Sequence, residues 1–338
     1  MKKILVVFFF LSAFAVLFLY YAAFVPNVIS DQAVITVGRG ADISSLKDSL
    51  RPYVKSVKTF ELTAKLKRFS TPKPGKYRIV KDMTNNALVN LFRSGKQMEI
   101  DVTFNNIHSL EDLAGKISDY ITADSTELLK AFTDKSFLEQ NGFTEATAIL
   151  MYIPNTYRFF YTTDAKQFRD RMLAEYKKFW NEDRRKKARA IGLTPVEVGI
   201  LASIVKKETV KREEKPVVAG VYINRLKRGI KLEADPTAVY AYKLLTGDTA
   251  TIRRVLNKHI NIDHPYNTYK YPGLPPGPIA MPDIEDIDAV LNHRKHNYLF
   301  FSADPRRPGY HNFAETFDRH LQNAMQYRKH LNSQKIWK

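Results

Sequence analysis

The chain has 338 residues, long enough for two or three domains, and its 53 Lys and Arg against 35 Asp and Glu give a formal net charge of +18. It contains no cysteine, which excludes disulfides, thiolate metal sites and cysteine nucleophiles. In a soluble chain this charge would favour a nucleic-acid partner, but a basic chain at a membrane meets anionic headgroups and anionic wall polymer instead. The charge is dispersed along the chain, so a solvated basic surface without a specific partner is at least an equal alternative.

The N-terminal segment is typical of a membrane anchor. Lys2 and Lys3 precede an apolar run from Ile4 to Val25, which at ~1.5 Å per residue spans a bilayer core of ~30 Å. A cleaved signal peptide is the alternative, but its apolar region is normally ~7–15 residues long, and residues 22–24 make a poor cleavage site. We therefore predict that residues 1–29 are a cytoplasmic tip and a single-pass anchor in the cell (inner) membrane. The two lysines lie inside, so the C-terminal part lies outside the cytoplasm, and we expect no nucleic-acid partner.

One local pattern occurs three times after the anchor. Alternating segments at residues 33–37, 76–80 and 99–104 each lead through a polar turn to an amphipathic segment opened by Asp, Thr or Ser. Alternation predicts a strand, and a capped amphipathic segment predicts a helix. The repeat therefore predicts a small α+β region over residues 30–110.

Residues 111–190 are predicted to form a helical connecting region. The pattern is helical from Ser109 to Gly142, and the aromatic segment from Tyr152 to Tyr161 is more typical of a loop or an edge strand. Asp164 to Ala190 is predicted to be one long amphipathic helix.

The next helix carries the strongest candidate for chemistry. Thr194, Pro195 and Glu197 form a T-P-x-E start, in which Thr caps the helix and Glu reaches back. Residues at helical spacing make an apolar stripe that leads to Glu208: Ile200, Leu201, Ile204 and Val205. A shielded carboxyl has a raised pKa and can donate a proton near neutral pH.

Two lysines leave the state of Glu208 open. Lys207 and Lys211 favour the anion, so the sequence does not decide the direction of the pKa shift. The alternative without chemistry is that Glu208 turns outward at the helix end and pairs with Lys211.

Two more helices begin at prolines. Pro216 precedes a helix over residues 217–227, and Asp235 with Pro236 opens a helix over residues 237–245, with Asp235 as its natural cap. Residues 264–282 contain six prolines, which predicts a stiff extended loop. Its Tyr and Asn residues suit contact with a polysaccharide, and a loop packed on itself is the equal alternative. A helix at 284–293, a strand at 298–302 and a C-terminal helix from 315 complete the prediction.

The remaining chemistry depends on carboxylates. The histidines show no metal-ligand spacing and no motif presents a serine nucleophile, so we predict neither a metal nor a cofactor. Glycoside cleavage usually needs two carboxylates, and Asp235 is the closest partner for Glu208. A single acid suffices if the sugar supplies its own nucleophile.

Six motifs occur in an order that resembles the YceG-like family of endolytic murein transglycosylases. They are LASIVKKET, VVAGVYINRL, KLEADPTAVY, PYNTY, GLPPGPI and GYHNF. The resemblance covers the chain from about residue 145, and the N-terminal repeats resemble the family's LysM-like subdomain. It implies that residues 191–338 form the catalytic region and that the protein is a peptidoglycan lyase.

The resemblance also implies the mechanism and the site. Glu208 matches the catalytic glutamate, which protonates the leaving oxygen between N-acetylmuramic acid (MurNAc) and N-acetylglucosamine (GlcNAc) and then deprotonates the C6 hydroxyl, giving a 1,6-anhydroMurNAc end. Substrate-binding positions of the motifs match Asn224, Asp235, Thr237, Asn267 and Tyr269. Peptidoglycan strands are the implied substrate, and peptidoglycan synthases are implied partners that no residue here identifies.

The chain departs from the family pattern at three places. Lys206 stands where an acid is frequent, Glu233 replaces Gln before the DPT motif, and residues 149–157 replace a PDTY-containing segment. Lys206 should project from a different face of the helix than Glu208. The other two departures bear on substrate contact more than on the class of reaction.

The expected fold is therefore α+β, with a transmembrane helix, a LysM-like α+β subdomain and a mixed helical catalytic domain with few strands. The alternative function is a non-catalytic peptidoglycan-binding membrane protein of the wall-synthesis machinery.

Overall fold

The computed structural model describes residues 2–248, 250–252 and 255–333. The chain divides into two compact units, which are described separately below. The first comprises residues 1–102, 117–125 and 156–165, and the second comprises residues 103–116, 126–155 and 166–338.

The first unit contains the N-terminal helix and most of the predicted repeats. Its elements are α1 (Lys2–Phe24), β1 (Gln32–Val37), α2 (Ile43–Leu50), a short 3-10 helix (Arg51–Tyr53), α3 (Val57–Leu66), β2 (Gly75–Val80), α4 (Asn85–Ser94), β3 (Glu99–Phe104) and β4 (Asn155–Phe160). β1 pairs with β2 in an antiparallel register that places Gln32 opposite Val80, and β3 pairs with β4.

Side-chain caps and alternating burial explain why the repeats fold as predicted. Asp42 accepts a hydrogen bond from the Ser45 N–H (2.8 Å), and Thr84 Oγ1 accepts one from the Ala87 N–H (3.2 Å), so α2 and α4 both begin at capping residues. Alternate residues of β1 are buried, which directs one face of the strand into the unit's core. The predicted strand–turn–helix pattern is thus present.

α1 is the one helix in the described ranges that is long and apolar enough on its own to cross a membrane. Its side chains are mostly exposed, as lipid contact requires, except near its C-terminal end. There Ala22 is buried, and its carbonyl accepts hydrogen bonds from Thr63 Oγ1 (3.1 Å) and Asn85 Nδ2 (2.8 Å). The folded part of the first unit therefore binds the last turn of α1 directly.

The second unit is mainly helical. Its elements are α5 (Leu110–Ser118), α6 (Ser125–Phe132), α7 (Lys135–Gln140), a 3-10 helix (Glu145–Met151), α8 (Ala165–Phe179), α9 (Glu182–Ala190), α10 (Pro195–Glu208), α11 (Lys215–Lys227), α12 (Asp235–Thr246), α13 (Asn257–Ile260), α14 (Ile284–Leu291), β5 (Phe300–Ala303), β6 (His311–Ala314) and α15 (Phe317–Ser333). β5 and β6 form an antiparallel pair.

Helix α10 is the centre of the second unit. It contacts α9, α11, α12 and α14, and all of its residues from Val198 to Val205 are buried. Ser203 Oγ donates to the carbonyl of Ile200 (2.7 Å) and accepts from the N–H of Ile279 (3.0 Å). The latter bond attaches the proline-rich loop to the central helix, so the helix and the loop position each other.

The structure confirms the α+β fold class with short strands in two-stranded sheets. One element prediction is wrong, because residues 164–190 form two helices, α8 and α9. The chain breaks after Phe179, and the side chain of Asn181 caps α9 by accepting from the N–H of Arg184 (3.0 Å). Strand β6, within the GYHNF motif, was not predicted.

Candidate active site

The C-terminal end of α10 presents Glu208. The helix begins with the predicted capping box, in which Thr194 Oγ1 accepts from the Glu197 N–H (3.2 Å) and Glu197 Oε2 accepts from the Thr194 N–H (2.8 Å). Burial of the apolar stripe then fixes how α10 is rotated about its axis. Glu208 is the last residue of α10, and its side chain is half-buried. The carboxyl therefore lies at the edge of the core, where a substrate can reach it.

Tyr222 on α11 holds the carboxyl of Glu208. Its hydroxyl donates a hydrogen bond to Glu208 Oε1 over 2.5 Å. The Tyr222 ring is 2 % exposed and packs edge-on against Phe301 of β5, with ring centroids 5.9 Å apart. A buried, packed tyrosine has few rotamers available, so it fixes the orientation of the acid.

The surroundings of Glu208 raise the pKa of its carboxyl to about 7. Burial is the largest cause, the hydrogen bond from Tyr222 opposes it, and the negative charge of Asp235 adds to it. A position at the C-terminal end of a helix acts in the same direction, because the helix dipole disfavours an anion there. A substantial fraction of Glu208 is therefore protonated at neutral pH.

The two neighbouring lysines do not control Glu208. Lys211 Nζ lies 4.8 Å from the ring centroid of Tyr310, and neither Lys207 nor Lys211 contributes to the pKa shift of Glu208. The alternative in which Glu208 turns outward to pair with Lys211 is thus wrong. The acid is held by Tyr222 instead, and the direction of its pKa shift, which the sequence left open, is upward.

Asp235 stands beside Glu208 without capping its helix. The N-cap of α12 is Ala234, and Asp235 is the first helical residue, so the predicted capping role is wrong. The exposed carboxylate of Asp235 accepts a hydrogen bond from the hydroxyl of Tyr269 over 2.6 Å. Burial and this bond raise the pKa of Tyr269, so its hydroxyl keeps its proton and remains a donor. The structure thus brings Glu208, Tyr222, Asp235 and Tyr269 together.

Thr237 is fully buried and connects α12 to the proline-rich loop. Its Oγ1 donates to the carbonyl of Ala234 (2.7 Å) and lies 2.8 Å from Thr268 Oγ1. Thr268 Oγ1 also accepts from the Ala234 N–H (3.0 Å). These bonds fix the start of α12, and with it Asp235, against the loop that carries Tyr269.

Asn267 shapes that loop from the inside. Its side chain is buried, and its Nδ2 donates to the carbonyls of Ile260 (3.0 Å) and Ile262 (2.7 Å). Its Oδ1 accepts from the N–H of Tyr269 (3.1 Å). With both ends of its amide in use, Asn267 sets the backbone position of Tyr269.

Asn224 is used on a different side of α11 from Tyr222. Its Nδ2 donates to the carbonyls of His296 (2.8 Å) and Tyr298 (3.0 Å), in the segment before β5. Residues two apart on a helix do not share a face. Tyr222 contacts Glu208, and Asn224 therefore points away from Glu208.

The departures from the family pattern have structural partners. Lys206 Nζ donates to the carbonyl of Met281 (3.0 Å) and pairs with Asp283 (2.9 Å), so it points to α14 as its spacing predicted. Glu233 adopts a left-handed conformation (φ 50°) and accepts from the buried guanidinium of Arg225, which stabilises the turn before α12.

Residues 149–157 include the end of a 3-10 helix that packs on α10. A Cβ placed on Gly199 would lie 3.0 Å from both terminal methyls of Leu150. This departure from the family pattern therefore lies partly in the packing beneath α10 and not only at a surface.

Sequence reasoning missed two groups at the site. Tyr222 was not singled out, because its bond to Glu208 joins two helices and no spacing rule predicts it. Glu214 was also missed: its Oε1 accepts from the N–H of His311 (2.8 Å) and its Oε2 lies 2.9 Å from His311 Nδ1. Thr209 donates to the same carboxylate (3.3 Å), so the turn after Glu208 is attached to β6. The GYHNF motif was the available signal for this contact.

No cluster of three or more His, Asp or Glu residues with metal-binding geometry is present among residues 2–248, 250–252 and 255–333.

Comparison with known proteins identifies related chains. The chain is 27% identical over 346 residues to an endolytic murein transglycosylase of Streptococcus pneumoniae, which covers 91% of this chain and 60% of that protein. It is 26% identical over 306 residues to an endolytic murein transglycosylase of Bacillus subtilis, covering 85% of this chain and 83% of the relative. The chain therefore spans about three-fifths of the length of the pneumococcal relative.

A solved structure shows the same fold. The crystal structure of a yceG-like protein from Listeria monocytogenes aligns with a TM-score of 0.57 at 22% identity, over 86% of this chain and 98% of that one. Residues 35–326 match the YceG-like family, which is most of the chain. The chain therefore belongs to the YceG-like family.

Proposed function

We propose that this protein is a membrane-anchored endolytic murein transglycosylase that uses Glu208 as acid and then as base. The observation that carries the proposal is the Glu208 carboxyl, held by Tyr222 at the edge of the core with a pKa raised to about 7. Such a group is a proton donor and a proton acceptor in the same pH range. The names of the relatives in S. pneumoniae and B. subtilis support the substrate class.

In the proposed reaction, protonated Glu208 donates its proton to the oxygen between MurNAc and GlcNAc. The bond from C1 of MurNAc to that oxygen breaks, and GlcNAc leaves with a free hydroxyl. The C6 hydroxyl of MurNAc then forms a bond to C1 while the Glu208 carboxylate takes its proton. The product is a 1,6-anhydroMurNAc end, no water is consumed, and Glu208 returns to its starting state.

Asp235 has a stabilising role in this scheme. Positive charge develops at the sugar ring when the glycosidic bond breaks, and a fixed carboxylate beside the acid lowers the energy of that charge. The bond from Tyr269 holds Asp235 in place, and the charge of Asp235 also keeps Glu208 protonated.

In this scheme the other three predicted substrate-binding residues do not contact the substrate but position residues that do. Thr237 and Asn267 are buried and use their polar atoms within the protein, and Asn224 binds two backbone carbonyls. We assign them to positioning: Thr237 and Asn267 place Asp235 and Tyr269, and Asn224 places α11, which carries Tyr222.

Cleavage of uncrosslinked glycan strands by the detergent-solubilised full chain tests the proposal. We expect anhydro-ended fragments from the wild type, and a loss of at least ~10³-fold in rate for Glu208→Gln, because the amide neither donates nor accepts the proton. Circular dichroism of Glu208→Gln should match the wild type. Retained strand binding without cleavage by either protein would instead support the non-catalytic binding function.

A further inference from the structure

A cleft of about 970 Å³ opens along α12 next to Asp235. Its wall is largely apolar and includes Val239, Leu244, Ile252 and Val255. Its volume lies at the large end of the ~300–1,000 Å³ found for ligand sites, so it offers more room than one sugar ring needs. Because Asp235 belongs both to this wall and to the proposed active site, a chain cleaved at Glu208 passes beside the cleft.

Two lysines without acidic partners line the same cleft. Lys207 comes from the end of α10 and Lys243 from α12, and in the described part of the chain neither forms an ion pair. Lys206, by contrast, is paired with Asp283. Burial lowers the pKa of Lys207, and the charges of Lys206 and Lys243 lower it further. The ammonium groups of Lys207 and Lys243 therefore repel each other across the cleft, and an anion between them would relieve that repulsion.

The two carboxylates that line the cleft accept hydrogen bonds from neutral groups and keep their negative charge. Asp235 accepts from the hydroxyl of Tyr269, and Asp248 accepts from the N–H of Ala250 (2.8 Å). Among the described residues that line the cleft, Lys207 and Lys243 are the cations. A ligand that places carboxylates at these two lysines and small apolar groups on the wall therefore complements the cleft.

We propose that this cleft binds the peptide stem of the murein strand, with Lys207 and Lys243 contacting its carboxylates and the apolar wall contacting its methyl groups. The inference depends on the proposed function, since the stem is attached to the MurNAc unit whose C1 bond is cleaved. Stem peptides carry alanine methyls and free carboxylates, which are the two chemical groups that the cleft complements. The cleft would then make the enzyme prefer peptide-bearing strands to bare glycan.

The test compares two substrates for the full chain in detergent: uncrosslinked strands with tetrapeptide stems, and the same strands after the stems have been removed by an amidase. We expect wild-type kcat/KM to be about tenfold higher on the peptide-bearing strands. The Lys207→Gln/Lys243→Gln double variant should lower this ratio about tenfold, mainly through KM, which corresponds to two partly exposed charge contacts. Lys178→Gln, an exposed lysine on α8, is the matched control and should keep the wild-type ratio.

A second variant tests the apolar wall. Leu244 is 51% exposed, so Leu244→Ser leaves the fold intact and should also lower the ratio. An unchanged ratio in both the lysine and the Leu244 variants would overturn the inference. So would an equal loss on both substrates in the lysine variant, because the lysines would then bind the glycan itself. If the wild type cleaves both substrates equally, only this inference fails, whereas cleavage of neither substrate contradicts the proposed function.

Discussion

Protonation of Glu208 controls the pH range of the proposed reaction. With its pKa raised to about 7, the acid form dominates below that pH and is lost as the pH rises through it. Since the first step needs the acid form, kcat/KM should decline on the alkaline side of about pH 7. We call this decline the alkaline limb of the pH profile. Tyr222 lowers the pKa of Glu208 and Asp235 raises it, so substitutions of these two residues should move the alkaline limb in opposite directions.

Tyr222→Phe should move the alkaline limb to higher pH. The hydroxyl of Tyr222 stabilises the Glu208 carboxylate, so its removal raises the pKa of Glu208. The measurement is the pH dependence of kcat/KM. Tyr271→Phe, which removes an exposed hydroxyl bonded to Asp263 (2.8 Å), is the control and should leave the limb in place. A limb that moves to lower pH in Tyr222→Phe would contradict this assignment.

Asp235→Asn should move the same limb to lower pH and also slow the reaction. Loss of the negative charge removes one cause of the raised Glu208 pKa. Loss of the carboxylate also removes the proposed stabilisation of the sugar cation, for which we expect ~10²-fold in kcat. If kcat is unchanged while the limb moves, Asp235 acts only on the acid and not on the sugar.

The sequence predicted a shielded carboxyl at Glu208 and only part of its surroundings. The apolar stripe of α10 predicted a shielded Glu208, because helical spacing is a local property of the chain. The sign of its pKa shift was not predictable, since it depends on Tyr222 from another helix and on the directions that Lys207 and Lys211 take. Asp235 was predicted as a cap because Asp before Pro usually is one, yet the bond from Tyr269 uses its carboxylate instead.

At the scale of elements, close packing of α11 determines how Tyr222 reaches Glu208. Gly220 lies where the helix approaches the segment before β5: a Cβ there would be 2.6 Å from the carbonyl oxygen of Arg294 and 2.6 Å from His296 Nε2. Because a backbone atom blocks the position, a larger side chain must displace the helix or that segment.

Gly220→Ala should therefore destabilise the protein by ~1–3 kcal/mol and lower its Tm by several degrees. Gly115→Ala in α5 is the matched control, since a Cβ there meets nothing within 4 Å, and the higher helix propensity of Ala should stabilise it or leave it unchanged. Thermal unfolding followed by circular dichroism compares the two variants. Equal Tm values for both would show that α11 has room at Gly220.

Element boundaries were predictable where local capping chemistry determines them. Thr194 and Asp42 were recognised as helix starts, and the structure confirms both. Asn181 was overlooked because residues 182–187 are all charged, which is typical of the solvated end of the preceding helix, although Asn followed by two acidic residues is a helix-start signal. Strand β6 was missed because its four residues are too short to show alternation and depend on pairing with β5.

At the scale of the whole molecule, hydrogen bonds join the end of α1 directly to the rest of the first unit. Asn85 is 1% exposed, and its Nδ2 donates to the carbonyl of Ala22 (2.8 Å) and to Thr59 Oγ1 (3.0 Å). Its Oδ1 accepts from Asn27 Nδ2 (2.7 Å). The end of α1 therefore has a fixed direction relative to the folded part of this unit.

Asn85→Ala should weaken the attachment of the end of α1 to the rest of the first unit. It leaves the Ala22 carbonyl with one partner fewer and the Asn27 amide with one acceptor fewer, at a cost of ~1–3 kcal/mol for buried polar groups. Hydrogen exchange of the amides at residues 25–28 should accelerate in the full chain in detergent. Asn90→Ala, which removes an exposed acceptor of Lys67, should not have this effect. Unchanged exchange in Asn85→Ala would indicate that the attachment of α1 does not depend on this side chain.

The central claim is that the sugar's own hydroxyl, and not water, completes the cleavage begun by Glu208. Mass spectrometry of the fragments made by the full chain from uncrosslinked strands in ¹⁸O-labelled water tests it directly. The mechanism predicts MurNAc ends that are one water lighter than reducing ends and carry no ¹⁸O, and it predicts that Glu208→Gln yields none of them. Reducing ends labelled with ¹⁸O would contradict it and would make the protein a hydrolase.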